Sequence, residues 1–288
     1  MLGDIVESLM NIEFTVLGFT VDLSNLGATA EQLCDWQVIQ NSTLGDLLNV
    51  LNGGFVAVGL NLLTVFVMID LIKKAMEIDR ISWERIVMSV ARFLIFKMLI
   101  TYSYRFLNMI MEIGSDFIEL LKDIISFNGD ASYNIGQALG DLINNAEGGI
   151  TIPIINWSIM PLVLFIVFII IYLPMMGTFV QAASMIFVRV IKIIIAFAFA
   201  PIPLAIGTWE DGSATGKRFI MSVVALAFEG LLTILCVHIY SMGIRGLGFN
   251  TTTFGGGIGA MIGILLLNGI LATVLQASQQ LAEKWTGA

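Results

Sequence analysis

Long apolar runs separated by short polar interruptions dominate the chain. Six stretches reach the roughly 20 residues needed to cross a bilayer: GGFVAVGLNLLTVFVMIDLI (53–72), RIVMSVARFLIFKMLITYSY (85–104), SIMPLVLFIVFIIIYLPMMGT (158–178), IFVRVIKIIIAFAFAPIPLAIG (186–207), FIMSVVALAFEGLLTILCVHIYS (219–241) and GGIGAMIGILLLNGILATVLQ (256–276). Between the second and the third, Glu112, Asp116, Glu119 and Asp123 recur at intervals of four, three and four, with Ile113, Phe117, Leu120, Leu121 and Ile124 among them. That spacing predicts a helix with one acidic and one apolar face. Interfacial lipid-binding helices usually carry cations on the polar side, so an acidic stripe suits docking on protein or on an uncharged membrane surface. A solvated extracytoplasmic helix is the simpler alternative. The N-terminal stretch, with Leu2, Ile5, Val6 and Leu9, reads similarly, and residues 127–157, rich in Asn, Gly and Asp, read as a loop with at most one short helix.

The fold class expected from this pattern is an all-α polytopic membrane protein of five to six transmembrane helices, with one or two amphipathic extracytoplasmic or interfacial helices. Residues 1–52 form an acidic extracytoplasmic N-terminal segment, 53–104 a first transmembrane hairpin with a basic cytoplasmic loop, and 105–157 an extracytoplasmic acidic helix and loop. Residues 158–276 form a transmembrane core of three to four helices, followed by a C-terminal tail over 277–288. Orientation follows from cations in short loops. Residues 1–52 contain no Lys or Arg, whereas the loop after the first span carries Lys73, Lys74, Arg80 and Arg85. The N-terminus is therefore expected outside the cell membrane and that loop in the cytoplasm. With six crossings, Arg189 and Lys192 fall at the cytoplasmic start of the fourth span and GTWEDGSATGKR lies outside.

Composition sharpens the class. Hydrophobic residues make up 57% of the chain and charged ones 12%, against about 25% charged in a soluble domain. A net charge of −8 argues against a general nucleic-acid-binding surface. The start MLGDIVESLMNIEF lacks the basic region of a cleavable signal peptide. Cys34 lies in a polar stretch and Cys236 in an apolar one, which gives neither a disulfide framework nor metal-ligand spacing. His238 has no second metal-ligand partner and reads as a hydrogen-bonded interior residue. Neither a catalytic constellation nor a cofactor site is visible, so the expectation is a non-enzymatic protein without cofactor or metal.

GSATGKR (212–218) suggests a phosphate-binding loop but fails the pattern at both ends. Asp211 occupies the position of the first glycine and Arg218 that of the magnesium-binding hydroxyl. The informative residues are charges within apolar stretches: Arg92, Lys97 and Glu229. A charge at the bilayer centre costs at least about 2.5 kcal/mol, so such groups normally face protein or water and find partners. Glu229 with Arg92 or Lys97 is the obvious candidate pair. The three residues fix helix packing, line a hydrated path, or provide a coupling-ion site. Pro201 and Pro203 break the fourth span and free backbone carbonyls that protein or water must satisfy. Gly255, Gly259 and Gly263, spaced by four, would let a neighbouring helix approach closely.

The stretch AFAFAPIPLAIGTWEDGSATGKRFIMSVVALAFEGLL resembles the polytopic inner-membrane subunit of conjugative type IV secretion systems, the TrbL or VirB-six-like family, in its Gram-positive conjugative-element form. The resemblance lies in an apolar span ending in Ala200-Pro201-Ile202-Pro203-Leu204, a short polar inter-span loop with Gly216, Lys217 and Phe219, and a further span with a small residue, Gly230, near its middle. It implies that Lys217 and Arg218 anchor the next span at head groups. It implies a channel or scaffold subunit that assembles in several copies with motor ATPases and other secretion subunits. Such a subunit helps carry relaxase-bound single-stranded DNA, or protein, across the membrane as transient cargo. The alternative from another class is a secondary transporter or ion channel with Glu229 as coupling site.

Overall fold

The computed structural model describes residues 4–5, 8–9, 13–16, 19–22, 26–76, 83–126, 151–152, 157–158, 160–209, 212–246 and 254–287. Strands β1 (Glu13–Val16) and β2 (Phe19–Asp22) are followed by helices α1 (Leu26–Cys34), α2 (Trp36–Gln40), α3 (Thr43–Met76), α4 (Trp83–Thr101) and α5 (Ser103–Ser126). Then come the short strands β3 (Thr151–Ile152) and β4 (Trp157–Ser158) and helices α6 (Met160–Phe199), α7 (Pro201–Ile206), α8 (Ser213–Gly246) and α9 (Phe254–Thr286). Apart from two short antiparallel hairpins, the described chain is helical. Four helices are long and apolar enough to cross a membrane, and five if the bent pair α4 and α5 supplies one span.

Five long helices carry most of the six apolar stretches, because 158–178 and 186–199 join in α6. That helix runs for 40 residues, about 60 Å, or twice a hydrocarbon layer. The polar residues that seem to separate two spans do not interrupt it. No Pro or Gly lies between Gly177 and Pro201, and the Ser184 hydroxyl donates to the carbonyl of Gln181 at 2.7 Å, within its own helix. Residues 127–150, expected to be loop, lie outside the described residues, as do Leu2 and Val6; of the expected N-terminal stripe, Ile5 and Leu9 are described and exposed.

The chain divides into two compact units. One contains Asp35–Phe117, Arg189–Leu231 and Gln280–Ala288. Two of its helices begin at side-chain caps. Asp35 Oδ1 accepts from Gln37 N at 3.0 Å at the start of α2, and Ser42 Oγ accepts from Leu44 N at 3.2 Å at the start of α3. In α3, Asp46 lies in the first turn and Lys73 and Lys74 in the last, matching the helix dipole at both ends. Leu63, Ile100, Leu204 and Ala205 form a buried core, ringed by Phe93, Phe96 and Phe219. Trp36 is buried, 4.8 Å from the ring of Phe197, and donates from Nε1 to Asn108 Oδ1 at 2.6 Å. The Ser115 hydroxyl accepts from Trp36 N and donates to Asp35 Oδ1. These bonds tie α2 to α5.

The other unit contains Met1–Cys34, Ile118–Val188 and Leu232–Gln279. In its first hairpin Glu13 faces Asp22 and Val16 faces Phe19; Phe19 and Val21 are buried and α1 packs on β2. Helices α8 and α9 meet where Gly243 leaves room for Leu267 and where the Tyr240 hydroxyl donates to Asn268 Oδ1.

Candidate functional site

Arg189, Lys192 and Glu229 bring opposite charges together between two apolar helices. Arg189 and Lys192 sit one turn apart on α6, inside the candidate span Phe165–Phe199, and Glu229 lies within the span Ser213–Ile244 of α8. Lys192 Nζ is 3.8 Å from Glu229 Oε2, close enough for an ion pair but too long for a strong hydrogen bond. Arg189 is only 2% exposed and Glu229 4%. The Arg189 guanidinium donates from Nε to the carbonyl of Leu226 at 3.1 Å and lies against Gly230, where a Cβ would come 2.6 Å from its Cζ. Gly230 costs α8 about 1 kcal/mol of helix propensity relative to alanine, and its missing side chain is what admits the cation.

This corrects the expected pairing. The cation beside Glu229 is Lys192, not Arg92 or Lys97. On α4, Arg92 is half-buried and Lys97 exposed, and neither has an ion-pair partner among the described residues. It also corrects the position of Arg189, which lies in the interior of a continuous helix and not at the start of a span. The sequence shows Arg189 and Lys192 as an i, i+3 pair of cations in an apolar run, but nothing in it marks Glu229 as their neighbour.

Pro201 has no N–H to give the carbonyl of Phe197, four residues earlier. The chain leaves α6 there and resumes as α7. The orphan carbonyl accepts from Asn52 Nδ2 at 2.7 Å, and Asn52 Oδ1 accepts from the Ser103 hydroxyl at 3.0 Å. Asn52 and Ser103 are both buried, so one amide from α3 satisfies the break and is itself held by the first residue of α5. Pro201 also packs against Gly59 of α3, where a Cβ would come 2.6 Å from the proline Cβ. Pro203 accepts at its carbonyl from Gly207 N at 3.1 Å as α7 ends. Asn52 and Gly59 carry no sequence signal beyond being a polar and a small residue in an apolar helix.

GSATGKR is not a loop. Ser213–Arg218 form the first turns of α8, initiated when Gly212 N donates to Trp209 O and Thr215 N to Gly212 O. Gly216 is buried, and a Cβ on it would meet the Cα of Gly207 at 2.9 Å; a Cβ on Gly207 would meet Gly216 and Phe96, each at 3.0 Å. Two glycines therefore face each other across a tight helical corner, while Lys217 and Arg218 point outward. Trp209, in the same corner, stacks with Phe66 at 6.1 Å and carries Lys73 Nζ over its ring at 4.7 Å. The corner sits at the basic end of α3, whereas counting six crossings had separated the two.

The remaining expected positions are scattered. Gly255, Gly259 and Gly263 lie on α9, and a Cβ on Gly259 would meet no atom within 4 Å among the described residues. His238 Nδ1 is 3.0 Å from the carbonyl of Ile234, with Nε2 4.0 Å from Glu31 Oε1; Lys122 lies 3.9 Å from the other Glu31 oxygen. Among the described residues no group of three metal-ligating side chains exists. Asp70, Lys74 and Ser89 form a separate cluster at the basic end of α3, where Lys74 Nζ is 2.7 Å and Ser89 Oγ 3.0 Å from Asp70 Oδ2.

Helices of this length and apolarity, with large side chains such as Met68, Ile72, Ile170 and Leu173 exposed along them, define an all-α polytopic membrane protein. No protein-family model, curated protein or solved structure matches this chain.

Proposed function

We propose that this protein is a membrane-embedded channel or scaffold subunit of a conjugative type IV secretion machine. It carries no enzymatic activity of its own. Several copies assemble with motor ATPases and other secretion subunits to pass a single-stranded DNA–relaxase complex, or a protein, across the membrane. One observation supports this reading. Three residues that carry the resemblance to that family make tight contacts with another part of the chain: Pro201 with Gly59, Gly216 with Gly207, and Gly230 with the Arg189 side chain. They read as a packing signature, as suits a scaffold.

The orientation proposed with it has the N-terminus extracytoplasmic. Lys217 and Arg218 then join Lys73 and Lys74 on the cytoplasmic side, since the α7–α8 corner lies beside Lys73.

A secondary transporter or ion channel with Glu229 as coupling site is the second reading. It is favoured by the loose 3.8 Å geometry of the Lys192–Glu229 pair, in which the lysine side chain is 37% exposed.

Deletion of the gene in its host, complemented with wild type or Glu229→Gln, tests both. The scaffold reading expects loss of DNA transfer on deletion and recovery with wild type while the motor ATPases stay expressed. Normal transfer in the deletion strain overturns it. Proton- or sodium-coupled solute uptake by the reconstituted protein, abolished by Glu229→Gln, would establish the transporter.

A further inference from the structure

We propose that the elbow between α4 and α5 is a glycerophospholipid-binding site, with Arg105 as the ligand for the lipid phosphate. Helix α4 has 19 residues, about 28 Å at 1.5 Å per residue, close to the thickness of a hydrocarbon layer. Helix α5 leaves it through a 73° bend. The two helices pass as a span only as a pair; with α4 as the arm that enters the bilayer, α5 lies within about 20° of the membrane plane.

The side chains of α5 are compatible with that placement. Its buried face is Ser103, Leu107, Met111, Ser115 and Ile118. The outward surface splits into an apolar stripe, Met109, Ile113, Phe117, Leu120 and Ile124, and the acidic stripe Glu112, Asp116, Glu119 and Asp123. Four exposed carboxylates cannot enter hydrocarbon, and five exposed large apolar side chains favour leaving water. An interfacial helix satisfies both.

That placement sets the elbow at head-group depth. A groove of about 480 Å³ opens there, formed by both arms from Ile95, Met98, Leu99, Phe106 and Met109, and its size falls within the roughly 300–1,000 Å³ of small-molecule sites. Arg105 and Tyr102 form its polar rim. The guanidinium lies over the Tyr102 ring, 5.9 Å from its centre, and has no carboxylate partner among the described residues. A cation held by an aromatic face, with no carboxylate beside it among the described residues and at the mouth of an apolar groove, fits a ligand with a hydrocarbon chain and a phosphodiester. The acyl chain lies along α4 and the phosphate meets Arg105.

The test uses the full chain in phosphatidylethanolamine–phosphatidylglycerol vesicles, labelled by trace phosphatidylethanolamine carrying a diazirine on its acyl chain, with a diazirine diacylglycerol lacking phosphate as the comparison. Phospholipid crosslinks should concentrate on residues 95–109 and fall about ten-fold in Arg105→Gln, the size expected for one lost charge-assisted hydrogen bond. Arg105→Lys should retain most of them. The diacylglycerol probe should label the elbow no more than the exposed residues Ile170 and Leu173. Equal labelling of wild type and Arg105→Gln, with unchanged thermal midpoints, would overturn the site. So would equal labelling of the wild-type elbow by the two probes, a comparison that holds even if the variant does not fold.

Discussion

Asn52 of α3 donates from its amide to the carbonyl of Phe197, 2.7 Å away, the one backbone acceptor that Pro201 leaves without its helical donor. Replacing Asn52 with Leu should lower stability by about 1–3 kcal/mol, the cost of a buried acceptor left unmade. Asn52→Asp should cost as much, since a carboxylate cannot donate. Pro201→Ala restores an N–H at position 201, so the Asn52→Leu penalty should shrink by about 1 kcal/mol in that background. Reversible unfolding in mixed micelles, run as a double-mutant cycle, measures this. A penalty of the same size in both backgrounds would mean that the amide does not act through this carbonyl.

Gly230 should tolerate no side chain while Arg189 is present. Gly230→Ala gains helix propensity but drives a methyl into the guanidinium, for a net loss of about 1–3 kcal/mol. Arg189→Met should relieve most of that clash. Thermal midpoints of the single and double variants decide it; a stabilised Gly230→Ala protein would show that the arginine moves aside freely.

Gly207 and Gly216 should behave as one contact. Gly216→Ala has a backbone atom of Gly207 in its way and is expected to cost about 1–3 kcal/mol. Lys217→Ala, exposed on the next position, should stay within about 0.5 kcal/mol of wild type. Fluorescence-detected size exclusion after a heat step ranks the two. Equal loss in both variants would argue that the corner responds to any change at the start of α8.

Because α6 is one helix, the α7–α8 corner should share a membrane face with the basic end of α3. A single cysteine at 213, in a chain lacking Cys34 and Cys236, should react with an impermeant maleimide only after the cytoplasmic face is opened. Labelling from outside in intact cells would restore the six-crossing arrangement and separate Ser213 from Lys73.

Class and helix content are legible in the sequence because they depend on local quantities. Apolar runs of spanning length make membrane helices whatever their neighbours, and the spacing of Glu112, Asp116, Glu119 and Asp123 gives a helix with an acidic face directly. The absence of a nucleotide loop at GSATGKR follows from Asp211 and Arg218 alone.

Partnership depended on tertiary structure. Nothing local distinguishes Lys192 from Lys97 as the cation for Glu229, and Asn52 becomes the satisfier of Pro201 only because α3 passes within a hydrogen bond of Phe197. The number of helices, by contrast, is a local matter that hydropathy alone misses. The Thr178–Ser184 stretch looks like a break on hydropathy, yet it stays helical because each polar side chain is compatible with a helix and Ser184 satisfies its hydroxyl on its own backbone. Sequence determined which segments leave water, since that free energy sums over a segment's own residues. Which charge, amide or glycine meets which was decided only when the helices packed.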